Sequence, residues 1–509
     1  MPKRAACALA PPLRLDRRSS EPLHRQIYFA IRQAILGGSL RPGARLPASR
    51  ALARELALSR NTVTAAFEQL HAEGYVDGRV GAGSFVSQHL PDAVLGAPRP
   101  AARIAGEPGG RPGPSARGAR LIALGSGRTR PRPFSPGVPE LDQFPFDDWA
   151  RLLARRWRRP RRAFLVGGDP AGYRPLCQAL ADYLATARAV SCGPEQVIVV
   201  SGTQQALDLA ARVLINPGDP VWIEEPGYPP TRAVLLGAGA RPVPVPVDDE
   251  GLSVVQGRAL EPAARLIAVS PSHQFPLGIT MSLRRRLELL DQARAVDGFV
   301  LEDDYDSEYR YAGRPLAALQ GLDRDGRVIY VGTLSKVMFP GLRVGYMVVP
   351  EQLIDGFLAI RALVDAHPSS IAQAALVDFI GDGHLSAHIR RMRALYAARQ
   401  AGLIEALQAR LGGRLELAPS AAGMHLVGRL RPQADDRAIA LAAAAAGVET
   451  PALSSYYQGA AAVRGLLLGY AGVPEAAVAP AVARLAEAIE RVDGDEPSPL
   501  AALSAGRAP

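Results

Sequence analysis

The chain has 509 residues, 48% of them hydrophobic and 21% charged, a balance that fits more than one globular domain and excludes bulk disorder and fibrous folds. No run of about 18 apolar residues is present to span a membrane, no secretion-type apolar stretch opens the chain, and Cys7, Cys177 and Cys192 make no disulfide framework or metal spacing, so a reduced, cytoplasmic protein without a metal is expected. The net charge of +10 is uneven: residues 1–135 hold 21 Lys+Arg against 8 Asp+Glu, a net of +13, and the remaining 374 carry −3, the asymmetry of a polyanion-binding module joined to a near-neutral body.

After a flexible start over 1–20, the stretch from Glu21 to Ser87 reads as a small, mainly helical unit. Ile27, Ile31 and Ile35 repeat every four residues and make one apolar helical face. Ser49 is placed to cap a second helix, with Leu52 and Leu56 facing inward. A tight Ala57-Leu58-Ser59 turn leads to a third helix, with Val63, Phe67 and Leu70 on one side. Residues 74–86 then alternate like a hairpin with a Gly-rich tip. Two helices joined tightly, the second opening on Ser59-Arg60-Asn61-Thr62, make a helix–turn–helix. Arg60 has the reach for a base edge, Ser59 and Thr62 suit phosphates, and Arg45 and Arg50 suit the DNA backbone. The competing reading, a helical bundle with a solvated basic face, is disfavoured by the hairpin and the charge. The runs Leu46-Pro47-Ala48-Ser49-Arg50, Ser59-Arg60-Asn61-Thr62-Val63 and Ala72-Glu73-Gly74-Tyr75 resemble the winged helix–turn–helix of GntR-family transcriptional regulators. That resemblance makes Arg50, Ser59, Arg60 and Thr62 contacts to an operator in double-stranded DNA. It makes Gly81 to Ser84, with Gly83, the wing tip.

From 88 to 133 periodicity is lost among Ala, Pro, Gly and Arg, and a long, solvated linker is expected. Between 134 and 492 short apolar runs alternate with helical segments: Val197–Val200, Val221–Ile223, Leu266–Val269, Phe299–Leu301, Val328–Val331 and Tyr346–Val349 are predicted strands. This is the pattern of an α/β fold with a mostly parallel sheet, whose ligands bind beyond the carboxyl ends of the strands. The Pro/Ala-rich residues 493–509 are expected to be a disordered tail.

Of 59 basic residues only Lys3 and Lys336 are lysine. Arginine cannot give up its proton, whereas a desolvated lysine can and becomes a nucleophilic amine. Lys336 ends Gly332-Thr333-Leu334-Ser335-Lys336, and Arg343 follows seven residues on. Glu302-Asp303-Asp304-Tyr305 follows another predicted strand, and Ser201-Gly202-Thr203-Gln204 turns from strand into helix. One cofactor, pyridoxal 5′-phosphate, needs all of these parts. Lys336 offers the amine for an internal aldimine. Asp303 offers a carboxylate for the pyridine nitrogen. The helix start at Gly202, Thr203 and Gln204 offers N–H groups to the phosphate. Thr333 and Ser335 add hydroxyls, Arg343 adds a charged fork, and Tyr305 offers a hydrogen bond to the ring hydroxyl.

The body from 134 to 492 resembles fold-type I aminotransferases. With the N-terminal unit, the order is that of the MocR subfamily of GntR regulators, including its PdxR-type members: a winged helix–turn–helix (α+β) joined by a long linker to an α/β aminotransferase-like domain. The motifs Pro271-Ser272-His273-Gln274-Phe275-Pro276 and Glu302 to Tyr309 carry this likeness. It implies that Tyr228 stacks on the cofactor ring, that His273 or Gln274 lies near the ring hydroxyl, and that the chain forms a head-to-tail homodimer. Two departures stand out. Leu467 aligns with the arginine that holds a substrate carboxylate in active aminotransferases, with Arg464 offset by three. Gly167 replaces a tyrosine that reaches the partner's phosphate. The expectation is a regulator that senses the cofactor or an amino-acid-like effector, in control of vitamin B6 metabolism, without productive transamination. The rivals are a working aminotransferase with an accessory DNA-binding domain and a repressor that has lost the cofactor.

Overall fold

The computed structural model describes residues 15–79, 83–90, 113–124, 131–160, 162–313 and 316–495. The chain divides into two compact units, Met1–Pro112 and Gly113–Pro509.

In the first unit, α1 (Leu23–Leu36), α2 (Ser49–Glu55) and α3 (Arg60–Ala72) precede a hairpin of β1 (Val76–Arg79) and β2 (Gly83–Val86). Ile27, Ile31 and Ile35 turn one face of α1 inward against Leu52, Val63 and Leu70, so the four-residue repeat becomes the unit's core. Leu56 is half-buried at the edge of that core. Ala57 takes the left-handed φ of 53° that lets α2 turn sharply into α3. Ser49 does not cap α2: it is the first helical residue, and Ala48 stands at the cap without a side-chain bond. Strands β1 and β2 pair antiparallel from Val76↔Val86 to Arg79↔Gly83. Gly81 and Ala82, expected in the wing tip, lie outside the described residues.

The second unit opens with a helix where linker was expected. α4 (Ala116–Leu124) packs on α9 (Pro229–Ala238), where Leu121 lies beside Gly237. Its arginines mask a short apolar stripe of Leu121, Ile122 and Leu124. Next come α5 (Phe146–Arg158), α6 (Ala163–Val166) and α7 (Arg174–Arg188). The sheet is built from β3 (Val197–Val200), β4 (Pro220–Glu225), β5 (Arg241–Asp248), β6 (Gly251–Leu252), β7 (Leu266–Val269), β8 (Phe299–Asp304), β9 (Val328–Thr333) and β10 (Gly345–Val348). Its eight strands run in the order β3-β10-β9-β8-β7-β4-β5-β6. Pairs from β5 through β9 are parallel, and β10 runs antiparallel between β3 and β9. The helices α8 (Thr203–Leu214), α9, α10 (Val254–Leu260) and α11 (Leu283–Ala295) alternate with these strands. β3, β7 and β9 are buried along their whole length, which is why they read as continuous apolar runs. β5 alternates Pro with Val next to the short edge strand β6, a place where strand prolines are tolerated.

Helices α12 (Ile354–Asp365), α13 (Ser370–Gly381) and α14 (His384–Leu411) lead to a smaller lobe. There β11 (Glu416–Leu417), β12 (His425–Arg429) and β13 (Gly465–Gly469) form a three-stranded sheet, covered by α15 (Asp436–Ala445) and α16 (Glu475–Asp495). α16 continues past Val492, where the tail was expected to begin; residues 496–509 lie outside the described residues. Phe134 and Tyr309 are wholly buried in this lobe's core.

Candidate functional site

In the first unit, Arg60 opens α3 and is exposed, as are Arg45 and Arg50. Ser59 caps α3 by accepting from the Thr62 N–H at 3.1 Å, and the two hydroxyl oxygens are 2.8 Å apart. Both hydroxyls, expected on phosphates, thus also serve the helix start. Arg45 lies beside the base of the wing: a Cβ on Gly83 would stand 3.4 Å from its Nε, and Gly83 has a φ of 102°. The six residues expected at DNA fall at the N-terminus of α3, the first turn of α2 and the base of the hairpin.

In the second unit the expected residues gather at one end of the large sheet. Gly202 follows β3, Tyr228 follows β4, Asp303 is the last residue but one of β8, Thr333 ends β9, and Ser335 and Lys336 follow it. Arg343 precedes β10, whose antiparallel run brings its start to the same end. They line one cavity of ≈ 460 Å³. The Lys336 amine donates to the Gly137 carbonyl at 2.6 Å. Burial lowers its affinity for a proton, against the pull of Asp306 and Asp303. Asp303 Oδ1 is buried without a hydrogen-bond partner. Burial, then the neighbouring Asp304 and Asp306, push its carboxyl up to about 7, while Lys336 pulls the other way.

Gly202 caps α8 with a φ of 128°, and a Cβ there would come within 3.3 Å of Arg343 Nη2. The free N–H groups of a helix start and a guanidinium therefore face one spot, an arrangement for an anion. Ser335 Oγ and Gln204 Nε2 are buried without partners beside it. Thr333 instead accepts from the Ser335 N–H at 3.2 Å. Tyr228 and Phe275 meet edge to face at 5.5 Å between ring centres.

His273 and Gln274 sit differently. His273 does not line the cavity. It is 2% exposed beneath the cavity, with Nδ1 3.1 Å from Asp306 and 3.1 Å from the Tyr305 hydroxyl. Gln274 is turned away, donating to the Pro226 and Phe275 carbonyls. The next residue, Phe275, is the one at the cavity. Strand alternation cannot be counted through this tight loop, so the sequence left the choice open.

Four other residues were missed. Gly137 holds a φ of 71°, which favours glycine, and a Cβ there would crowd the Lys336 amine at 2.6 Å; its signal is Ser135-Pro136-Gly137. Asp306 falls within the Glu302 to Tyr309 motif, where no pattern assigns it a role. His425 and Tyr456 come from the smaller lobe, far along the chain from Lys336, and no local pattern points to them. Leu467 is wholly buried in β13, and Arg464 lies 3.4 Å from Asp436, outside the cavity. Gly167 ends α6 at a φ of 143°, backbone that itself favours glycine.

Comparison with known proteins agrees with both halves. Residues 134–485 match the aminotransferase class I and II family, and residues 23–86 match the bacterial regulatory proteins of the gntR family. The chain is 44% identical over 461 residues to the probable rhizopine catabolism regulatory protein MocR of Rhizobium meliloti, covering 90% of this chain and 92% of that one. It is 30% identical to the pyridoxine biosynthesis transcriptional regulator PdxR of Corynebacterium glutamicum, covering 94% and 98%. Among solved structures, the kynurenine aminotransferase of Pyrococcus horikoshii matches with a TM-score of 0.66 at 28% identity, covering 73% of this chain and 93% of that one. No helix among the described residues is long and apolar enough to cross a membrane. A gntR-type DNA-binding unit followed by a class I and II aminotransferase fold, related along nine-tenths of its length to named transcriptional regulators, places this chain in the MocR subfamily of GntR-family regulators.

Proposed function

We propose that the chain is a transcriptional regulator whose body holds pyridoxal 5′-phosphate at Lys336 and whose affinity for operator DNA depends on what that cavity contains. The supporting observation is Asp303 Oδ1, buried without a partner in the cavity that also holds the Lys336 amine and the Arg343 side of α8. When bound, the cofactor supplies an aldehyde carbon that combines with a primary amine and a ring that withdraws electrons from it.

The chain's own residues take the remaining roles. Asp303 would hold the pyridine nitrogen, whose positive charge would reverse the upward push on the carboxyl. Arg343, the α8 start at Gly202, Thr203 and Gln204, and the hydroxyls of Thr333 and Ser335 would hold the phosphate. Tyr228 would cover the ring face, and Tyr305 would meet the ring hydroxyl. His273 would act through Tyr305, as a positioning residue. Burial weakens the Lys336 amine's hold on its proton, against Asp306 and Asp303, which favours its use as a nucleophile. Arg45, Arg50, Ser59, Arg60, Thr62 and the wing at Gly83 would meet the operator, and a head-to-tail dimer would present two such units to paired half-sites.

Productive transamination is not part of this reading, because Leu467 offers no fork to a substrate carboxylate. Cofactor loading is itself a signal in this scheme. If the target genes resemble those implied by the name of the Corynebacterium relative, they serve vitamin B6 metabolism. Loading can switch DNA binding only if the two DNA-binding arrangements differ in cofactor affinity. Operator affinity measured with the apo and the loaded protein tests this. Equal affinity in both forms, before and after small amines are added, would reject it.

A further inference from the structure

We infer that the cavity beside Lys336 takes a primary amine that carries hydroxyls and no carboxylate, with Asp306 and His425 as the residues that select it. The inference rests on the reading that the cavity holds pyridoxal phosphate.

The charges come first. Among the described residues, Lys336, Arg343, Asp303 and Asp306 are the charged side chains that line the cavity. The cofactor would engage three of them: its aldehyde Lys336, its phosphate Arg343, its ring nitrogen Asp303. The group left over is a carboxylate. Asp306 is 1% exposed, so little water screens it. It accepts from His273 Nδ1 at 3.1 Å, which leaves room for a further donor, since a carboxylate has about four acceptor positions. A ligand ammonium meets an opposite charge here. A ligand carboxylate meets a like charge with no offsetting fork, because Leu467 and Arg464 supply none.

His425 then decides the rest of the ligand. Its Nε2 is 3.0 Å from the Pro276 carbonyl oxygen. That oxygen only accepts, so Nε2 must carry the hydrogen and Nδ1 is a bare acceptor. Burial and the neighbouring His273 hold the imidazole's pKa down to about 4, so it stays an acceptor at neutral pH. A hydroxyl donates to such a nitrogen; a methyl group or a carboxylate does not. Phe275, Met424 and Tyr456 supply mainly apolar surroundings. The cavity is of a size for a cofactor and a small second molecule.

Three compounds on one skeleton test this: serinol, isopropylamine, and L-serine, which exchanges one hydroxymethyl group of serinol for a carboxylate. The full chain is first loaded with pyridoxal phosphate, and loading is followed by visible absorbance and by borohydride attachment to the Lys336 peptide. A chain that does not load removes the underlying reading, and this inference with it. On the loaded chain, calorimetry and operator affinity are measured with each compound. Serinol should bind roughly tenfold more tightly than isopropylamine and at least about tenfold more tightly than L-serine, and it should shift operator affinity most. His425→Phe should bring serinol and isopropylamine to within about threefold, and His425→Asn, which restores an acceptor, should recover part of the gap. Asp306→Asn should narrow the gap between serinol and L-serine. On a chain that loads, the inference is overturned if L-serine binds as well as serinol, if the three do not differ, or if none binds. The wild-type ranking decides the matter even where a variant fails to fold.

Discussion

Lys336 is chemically exceptional in an arginine-rich chain because its amine can exist without a proton inside a protein. Lys336→Arg is expected to remove visible absorbance from protein incubated with pyridoxal phosphate, since a guanidinium makes no comparable bond. Retained colour, or borohydride labelling elsewhere, would refute the assignment. Glu224 offers a second test at this scale. Burial pushes its carboxyl from 4.5 up to about 8, and the Ser270 N–H and Gln274 only partly offset this. A raised pKa in the fold means the folded chain holds a proton that the unfolded chain has released. Stability from this group is therefore full below about 4.5 and is lost as pH rises toward 8. Glu224→Gln should gain on the wild type over that window by about 1–4 kcal/mol, read from urea denaturation of the apo protein at several pH values. An advantage that does not grow with pH would contradict the assignment. The residues legible in the sequence were those whose chemistry is unusual for their surroundings: a lone lysine, a pair of acids after a strand, a glycine before a helix. His425 and Tyr456 have ordinary neighbours, and only tertiary folding brings them to Lys336.

At the scale of elements, the N-terminus of α3 does two jobs. Ser59 caps the helix that presents Arg60. Ser59→Ala should cost about 1 kcal/mol in the thermal stability of the DNA-binding unit and weaken operator binding besides. Arg60→Ala and Arg45→Ala should separate the base from the backbone. The first should relax preference at one or two base positions by roughly 1–3 kcal/mol. The second should weaken specific and random DNA alike and flatten the dependence on salt. Identical losses from both variants would refute that division. In the body, a Cβ on Gly423 would stand 2.0 Å from His273 Cε1, with φ at 93°. Gly423→Ala should therefore displace His273 and disturb Tyr305, visible as a shift in the cofactor's absorbance maximum. Buried parallel strands such as β7 and β9 were legible as unbroken apolar runs. β5 was not, because its alternating prolines imitate a linker, and α4 was missed because its stripe is short and set among arginines.

For the whole molecule, the charge division recorded in the sequence has a direct consequence. With the basic excess confined to residues 1–135, operator affinity should fall steeply with salt, while cofactor affinity should fall much less. Titrating both at two ionic strengths checks this; parallel losses would mean that the body also meets DNA. Sedimentation equilibrium of the loaded chain checks the proposed dimer, and a monomer at concentrations that saturate the operator would exclude paired half-sites.

The helix α4 gives the path between the units a further meaning. Its last residue, Leu124, is already part of the cavity wall, and Pro136 and Gly137 complete another part of that wall beside the lysine amine. The stretch of chain arriving from the DNA-binding unit is therefore stitched to the cavity at two points before the body proper begins. Under the proposed function, a molecule entering the cavity would touch Leu124 and Gly137 directly, with no need for a route through the sheet. Loosening one stitch, with Leu124→Ser, should leave cofactor colour intact and blunt the operator's response to it.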